Sequence, residues 1–253
     1  MSYAEAYGAD RSLRGKIRRR VARLVHRRPL QVDPGRPMIS FSFDDAPLTA
    51  ALTGAKVLES RGLRGTFYVS AGLAGTDAPM GVCAGPEDYR RLAEAGHEIA
   101  CHTYSHIDCG RASAHDAESE ADRNAQVLAA WGAPKLESFA YPYGDVSIGP
   151  KGVLAQRFST LRGLHHGLIE KGVDLNQAPA VGIEGENGED AARRWMGQAQ
   201  ARKAWLILYT HDVAPDRSPW GCTPDAFARL IDEALSGGFE VGTVGQIARK
   251  LGL

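Results

Sequence analysis

Long apolar runs are missing from this chain. No stretch approaches the ~20 consecutive apolar residues of a membrane span, and the opening residues lack the apolar core of a secretory signal, so a cytoplasmic location is expected. Cysteine is scarce: Cys83, Cys101, Cys109 and Cys222 fall in no paired zinc-ribbon spacing, which favours reduced structural thiols over a disulfide framework. Net charge is absent as well, with 30 Lys and Arg against 30 Asp and Glu. That balance is uneven. Residues 1–28 hold nine basic side chains against Glu5 and Asp10, a net of +7, so the remaining 225 residues carry −7. A bulk nucleic-acid binder would not pair a basic tail with an acidic body. Repeats and low-complexity segments are lacking too.

What is present fits one large α/β domain at residues 36–253, preceded by a basic arm at 1–35. In the arm, Leu13, Ile17, Leu24 and Val25 share one helical face while Arg14, Arg18, Arg19, Arg23 and Arg27 crowd the others. Asp10 or Ser12 can cap this helix, and Pro29 and Pro34 stop it. A basic amphipathic helix of this kind suits peripheral contact of residues 11–28 with an anionic membrane, each basic residue adding on the order of 1 kcal/mol. That would put the protein at the inner face of the membrane. The plain alternative is a helix packed on the domain or a loose arm.

From residue 36 onward, short apolar runs alternate with helical patterns, the signature of a largely parallel sheet wrapped by helices. Strands are expected at 37–43, 65–69, 97–100, 138–140, 158–162, 204–209 and 239–241. Helices are expected near 48–60, 86–95, 113–131, 150–157, 189–201 and 225–236, with a last one ending at Lys250. The glycine-rich stretch 163–188 resists assignment.

Four strand ends carry unusual side chains: Asp44 and Asp45; His102 and His106; Tyr141-Pro142-Tyr143-Gly144; and His211. Histidines four apart share one face of a helical turn and can close on one metal ion, with a carboxylate from Asp44-Asp45 as the third ligand. Each cluster alone has a bland alternative, such as helix capping by the aspartates or a simple turn at Pro142. In a barrel of alternating strands and helices, however, one rule gathers all four at the carboxyl ends of the strands. His97, His115, His165 and His166 are read as surface or strand-edge residues.

At this point the chain resembles the polysaccharide deacetylases of the NodB-homology type, carbohydrate esterase family 4, from about residue 38 to 246. Phe41-Ser42-Phe43-Asp44-Asp45 is similar to the family's first motif and His102-Thr103-Tyr104-Ser105-His106 to its second. Tyr141-Pro142-Tyr143-Gly144 resembles the third, and Leu206-Ile207-Leu208-Tyr209-Thr210-His211 the last. Within that family the chain resembles deacetylases of surface polysaccharides such as holdfast. The resemblance implies a distorted (β/α) barrel of seven or eight strands. It also implies a divalent metal on Asp45, His102 and His106, with Asp44 as general base and His211 as general acid. The metal would be zinc first, with cobalt, nickel or manganese as alternatives that the same donor set accepts. The reaction implied is removal of N-acetyl groups from N-acetylhexosamine in a bacterial polysaccharide or its lipid-linked precursor.

The chemistry fits these residues. A His₂Asp set leaves coordination positions open, and a metal there acidifies water and polarises a carbonyl. The backbone N–H of Tyr143 can donate to the developing oxyanion. Tyr141, Pro142 and Trp220 are the candidate substrate-binding residues, with Trp220 able to stack on a sugar ring. Two departures stand out. The third motif usually opens with an Arg where this chain has Ala140, and Arg162 on the next expected strand is the candidate replacement. The fourth motif, an Asp followed by Trp, has no clear counterpart, which leaves Asp174 as the candidate for orienting His211. Competing functions are a deacylase or deformylase of a small or non-glycan amide, and a catalytically weak glycan-binding homologue.

Overall fold

The structure is a computed structural model that describes residues 12–253. Asp10, an alternative cap for the arm helix, and Arg11, where the expected membrane-facing segment opens, lie outside those residues. Ser12 caps helix α1 (Leu13–Ala22), its Oγ accepting from the Gly15 N–H at 3.0 Å. The helix ends well before Pro29, so Val25 lies past its end and is half-buried.

Strand β1 (Met38–Asp44) reads Met-Ile-Ser-Phe-Ser-Phe-Asp and is buried throughout. Its period of two sends Ile39, Phe41 and Phe43 to the helical layer, where Phe43 stacks on Phe67 at 4.6 Å between ring centroids. The opposite face carries Ser40, Ser42 and Asp44 inward. There the Trp205 indole N–H donates to Ser40 Oγ at 3.0 Å. A wide turn at Ala50–Gly54 then runs into α2 (Ala55–Glu59), in place of the regular helix expected over 48–60.

The following elements are β2 (Thr66–Val69), a small antiparallel hairpin of β3 (Asp77–Ala78) and β4 (Gly81–Val82), α3 (Pro86–Glu94) and β5 (Glu98–Cys101). Next come α4 (Ala114–Ala130), β6 (Ser138–Ala140), α5 (Ile148–Leu154), β7 (Thr160–Arg162) and β8 (Val181–Gly182). The chain closes with α6 (Gly188–Arg202), β9 (Trp205–Thr210), α7 (Pro224–Ser236), β10 (Glu240–Val241) and α8 (Val244–Lys250). The hairpin and β8 are elements that the sequence pattern does not announce.

Seven strands pair in parallel in the order β7-β6-β5-β2-β1-β9-β8, with β10 on the opening residues of β1. The segment before β8 reaches the far edge: the Ala178 N–H donates to Leu161 O at 2.7 Å and the Gly163 N–H to Ala178 O at 2.9 Å. Residues 178–182 thus span both ends of the curled sheet, which makes the distorted (β/α) barrel expected from the sequence. All four cysteines are buried free thiols.

The arm is fastened to this barrel by polar contacts that are buried or part-buried. Arg18 and Arg19 hold the buried Asp145 at 2.5 and 3.2 Å. Lys151, fully buried on α5, donates to Ala22 O at 2.7 Å and pairs with Asp174 at 2.6 Å. The Arg28 N–H donates to Asp174 Oδ1 at 2.8 Å, and its guanidinium to Phe158 O at 2.7 Å. Removing one partner of a buried pair strands the other charge. Lys151→Ala is therefore expected to lower the unfolding free energy by about 3 kcal/mol. Urea unfolding measures this, and a loss below about 1 kcal/mol, the worth of an exposed pair, would contradict the docking described.

Candidate active site

The end of β1 leaves its strand abruptly. Asp45 and Ala46 take left-handed backbone, at φ 55° and 41°. Thr103, His106 and Tyr143 do the same at φ 63°, 57° and 58°, so among the described residues five of the seven non-glycine residues with positive φ lie on the loops of one rim. Each such residue costs of order 1 kcal/mol or more, strain that persists where the surroundings over-determine it. Left-handed turns at Asp45 and His106 accompany the meeting of both side chains with His102 in one cluster.

His102 and His106 do not sit on a helical turn. They flank an irregular loop after β5, in which the Ile107 N–H donates to Thr103 Oγ1 at 3.1 Å and Ser70 Oγ–H to His102 O at 2.8 Å. The pair still converges, with ring centroids 4.9 Å apart. His102 Nδ1 lies 2.8 Å from Ala140 O, a contact that needs the proton on Nδ1 and leaves Nε2 as the ligating atom. Asp45 Oδ1 lies 3.4 Å from His106 Nε2 and 3.7 Å from His102 Nε2. All three residues are buried, and one donor atom from each lies within 4.8 Å of the others, the only such metal-ligating group found among the described residues. Metal bonds of ~2.0–2.1 Å in a tetrahedral site put neighbouring donors about 3.3 Å apart, so two His and one Asp at these separations fit a divalent ion. Burial, and next the charge of the neighbouring His106, press the His102 pKa down to about 4, which keeps its ring neutral and able to ligate.

Asp44 points into the barrel beside this cluster. Its Oδ1 accepts from Arg162 Nη2 at 2.5 Å, with Arg162 fully buried. The guanidinium carbon lies 4.8 Å from the Tyr68 ring centroid and 5.1 Å from that of Tyr209, so two aromatic faces hold the cation in place. Arg162 is the direct register partner of Ala140 on β6. Neighbouring strands lie about 4.8 Å apart, so an Arg on β7 covers the ground that one at position 140 would. Ala100 and Ala140, clustered with Tyr68, are small enough to leave that interior space.

His211 follows β9, its N–H donating to Trp220 O at 3.0 Å. Its Nδ1 lies 2.7 Å from Glu184 Oε1. Burial opposes a charge on this ring, but the hydrogen bond and charge of Glu184, with Asp44 and Asp45 beyond, lift its pKa to about 9. The orienting carboxylate is therefore Glu184, which the sequence reading missed. Its signal is faint: Ala180-Val181-Gly182-Ile183 runs into Glu184 as β1 runs into Asp44, inside the stretch left unassigned. Asp174 does not serve His211. It caps the turn at Leu175–Gln177 and takes Lys151 and the Arg28 N–H instead.

The third-motif residues divide. The Tyr143 ring packs edge-on against His106 at 4.6 Å, which keeps this residue at the cluster. Tyr141 is buried, with its hydroxyl donating to Asn176 O at 2.9 Å and its ring against Phe139, so its side chain is core and not substrate-facing. Pro142 is buried as well and opens the short turn that carries Tyr143. Trp220 is half-buried on the loop beside His211, where the buried Asp212 carboxylate accepts from the Ser218 N–H at 2.9 Å.

A curled parallel sheet with its ionisable groups gathered at the carboxyl rim defines the class, a distorted (β/α) barrel with its candidate site at the strand ends. The sequence model of the family described as polysaccharide deacetylase matches residues 31–155. A chitin deacetylase from Colletotrichum lindemuthianum is 24% identical over 219 residues, covering 83% of this chain and 78% of that protein. Its solved structure overlays with a TM-score of 0.62 at 20% identity, covering 87% and 91% of the two chains. A family 4 acetyl xylan esterase from Clostridium thermocellum, solved with a cobalt ion, gives 0.61 at 21% identity, covering 85% and 92%. The family-model match, the chitin deacetylase relative and the two overlays support the polysaccharide deacetylase family of the NodB-homology type, carbohydrate esterase family 4.

Two substitutions separate the roles of the two aspartates. Asp45→Ala is expected to weaken metal binding beyond the roughly 10–100-fold that loss of an outer-shell partner costs. Metal content by plasma mass spectrometry checks it, and stoichiometric metal after dialysis would remove Asp45 from the ligand set. Arg162→Ala should keep its metal while kcat falls about 100-fold, the scale of a misplaced reacting group, with Arg162→Lys between the two. Unchanged turnover would leave Arg162 without a part in positioning Asp44.

Proposed function

We propose that this chain is a metal-dependent N-deacetylase that removes acetyl groups from N-acetylhexosamine residues of a bacterial polysaccharide or its lipid-linked precursor, with residues 36–253 as the catalytic unit. The observation that carries this is the Asp45–His102–His106 cluster with Asp44 and the Glu184-paired His211 near enough to act electrostatically on its histidines. The match to a deacetylase family supports the reaction type, and the fungal chitin deacetylase supports an N-acetylglucosamine polymer as the test substrate.

Zinc, or cobalt, nickel or manganese in its place, would be held by Asp45, His102 and His106 and would supply Lewis-acid chemistry, acidifying water and polarising the amide carbonyl. The rest falls to the chain's own side chains. Asp44, held by Arg162, takes a proton from the attacking water. The Tyr143 backbone N–H donates to the oxygen that gains charge as the carbonyl carbon becomes tetrahedral, and one such donor is typically worth ~3–4 kcal/mol. His211, cationic through Glu184, gives its proton to the nitrogen as the C–N bond breaks. An amino sugar and acetate leave. Trp220, on the loop beside His211, offers an aromatic face to the sugar ring.

Acetate release from chitooligosaccharides by metal-replete enzyme tests this directly. The wild type should release acetate, and Asp44→Asn should fall by about 100-fold or more, the usual worth of a positioned base. Equal rates would reject Asp44 as that base. The acid has its own signature. His211 must keep its proton, so activity is lost as pH rises through its pKa, near 9 in the unsubstituted protein. Glu184→Gln removes the charge that raises that value, so the alkaline limb should move down toward the ordinary imidazole range of about 6.5. A limb that stays in place would deny His211 the role of acid.

A further inference from the structure

The arm helix has two faces with different fates. Gly15, Arg18, Arg19 and Ala22 turn toward the barrel: Gly15 and Ala22 are buried, and both arginines hold Asp145. Leu13, Ile17, Val21 and Leu24 lie on the opposite face, at successive spacings of four, four and three residues. They remain outside the core, with Leu13 74%, Ile17 53% and Leu24 76% exposed. Docking on the barrel therefore does not use the apolar stripe.

Charge says what covers it. The exposed Arg14 flanks the stripe on one side, and the exposed Lys16, Arg20 and Arg23 on the other. No acidic residue occurs between Ser12 and Arg28. A partner for this face must accept apolar side chains between rows of cations, as the headgroup boundary of an anionic bilayer does. A second copy would bring the same basic rows against each other, where like charges repel. We infer that α1 and Leu24 dock on an anionic lipid surface, with the apolar stripe inserted and Arg14, Lys16, Arg20 and Arg23 at the headgroups.

The helix is also fixed to the rim of the candidate site. Asp145, which Arg18 holds, comes two residues after Tyr143, whose ring packs on His106. Gly110, in the loop after His106, lets the arm approach closely: a Cβ there would lie 2.7 Å from Arg18 Nη2. A lipid surface gripped by this helix thus lies beside the cleft, and the docking stands independently of the reaction proposed above.

Flotation of the full chain with vesicles tests the inference. The protein should float with equimolar phosphatidylglycerol and phosphatidylcholine, stay behind with phosphatidylcholine alone, and be released by salt. The triple variant Leu13→Ser, Ile17→Ser, Leu24→Ser and the triple variant Arg14→Glu, Arg20→Glu, Arg23→Glu should each reduce the bound fraction by about tenfold or more. These positions are exposed, and unchanged circular dichroism and thermal unfolding show that the variants fold. Absence of flotation on anionic vesicles, equal flotation on neutral ones, or variants that float like the wild type would overturn it. So would a dimer, seen by light scattering without flotation, that the serine variant abolishes.

Discussion

Charged groups are largely withdrawn from water at one rim of the barrel, and their charge balance constrains everything around them. Asp44 and Asp45 are buried carboxylates, with the half-buried Glu184 beside them; Arg162 and a protonated His211 are the cations. Taking each from water costs several kcal/mol unless geometry compensates it. Arg162 compensates Asp44 and His211 compensates Glu184, both at hydrogen-bond distance. Asp45 instead faces two imidazoles, one of which its surroundings keep neutral. A divalent cation at that point would balance the remaining negative charge with the donor set already assembled.

The parallel sheet is what makes such a cluster possible. Every strand delivers its carboxyl end to the same rim, so residues far apart in sequence meet without long loops. Left-handed backbone at Asp45, Thr103, His106 and Tyr143 then redirects side chains at those ends. Register allows substitution between strands as well. Arg162 lies opposite Ala140, so the guanidinium near Asp44 comes from β7 instead of β6, and Tyr68 and Tyr209 hold it from two sides. A guanidinium thus reaches the Asp44 carboxylate from the neighbouring strand.

Legibility followed the length of the local pattern. Asp44 and Asp45 were readable because a strand with alternating Ile39, Phe41 and Phe43 runs into them, and His102 and His106 because their spacing is itself a chemical statement. The loop that brings the histidines together was not readable, since left-handed turns at Thr103 and His106 leave no periodic trace. Glu184 escaped because β8 has two residues, too few to show alternation. Asp174 seemed a free carboxylate in sequence, but Lys151 and Arg28 claim it, and a lysine at position 151 gives no hint that it is fully buried. Tyr141 and Pro142 looked like cleft residues because their motif reaches the cleft, yet only Tyr143 does so. Fold class was accessible throughout, because alternation of apolar runs and helical patterns persists over 200 residues.

Anomalous scattering from crystals grown with cobalt addresses the central claim most directly. A single strong peak is expected, bonded to one Asp45 carboxylate oxygen and to the Nε2 atoms of His102 and His106, at about 2.0–2.2 Å from each. A peak bound elsewhere, or none at these three side chains in crystals that hold cobalt, would contradict that claim.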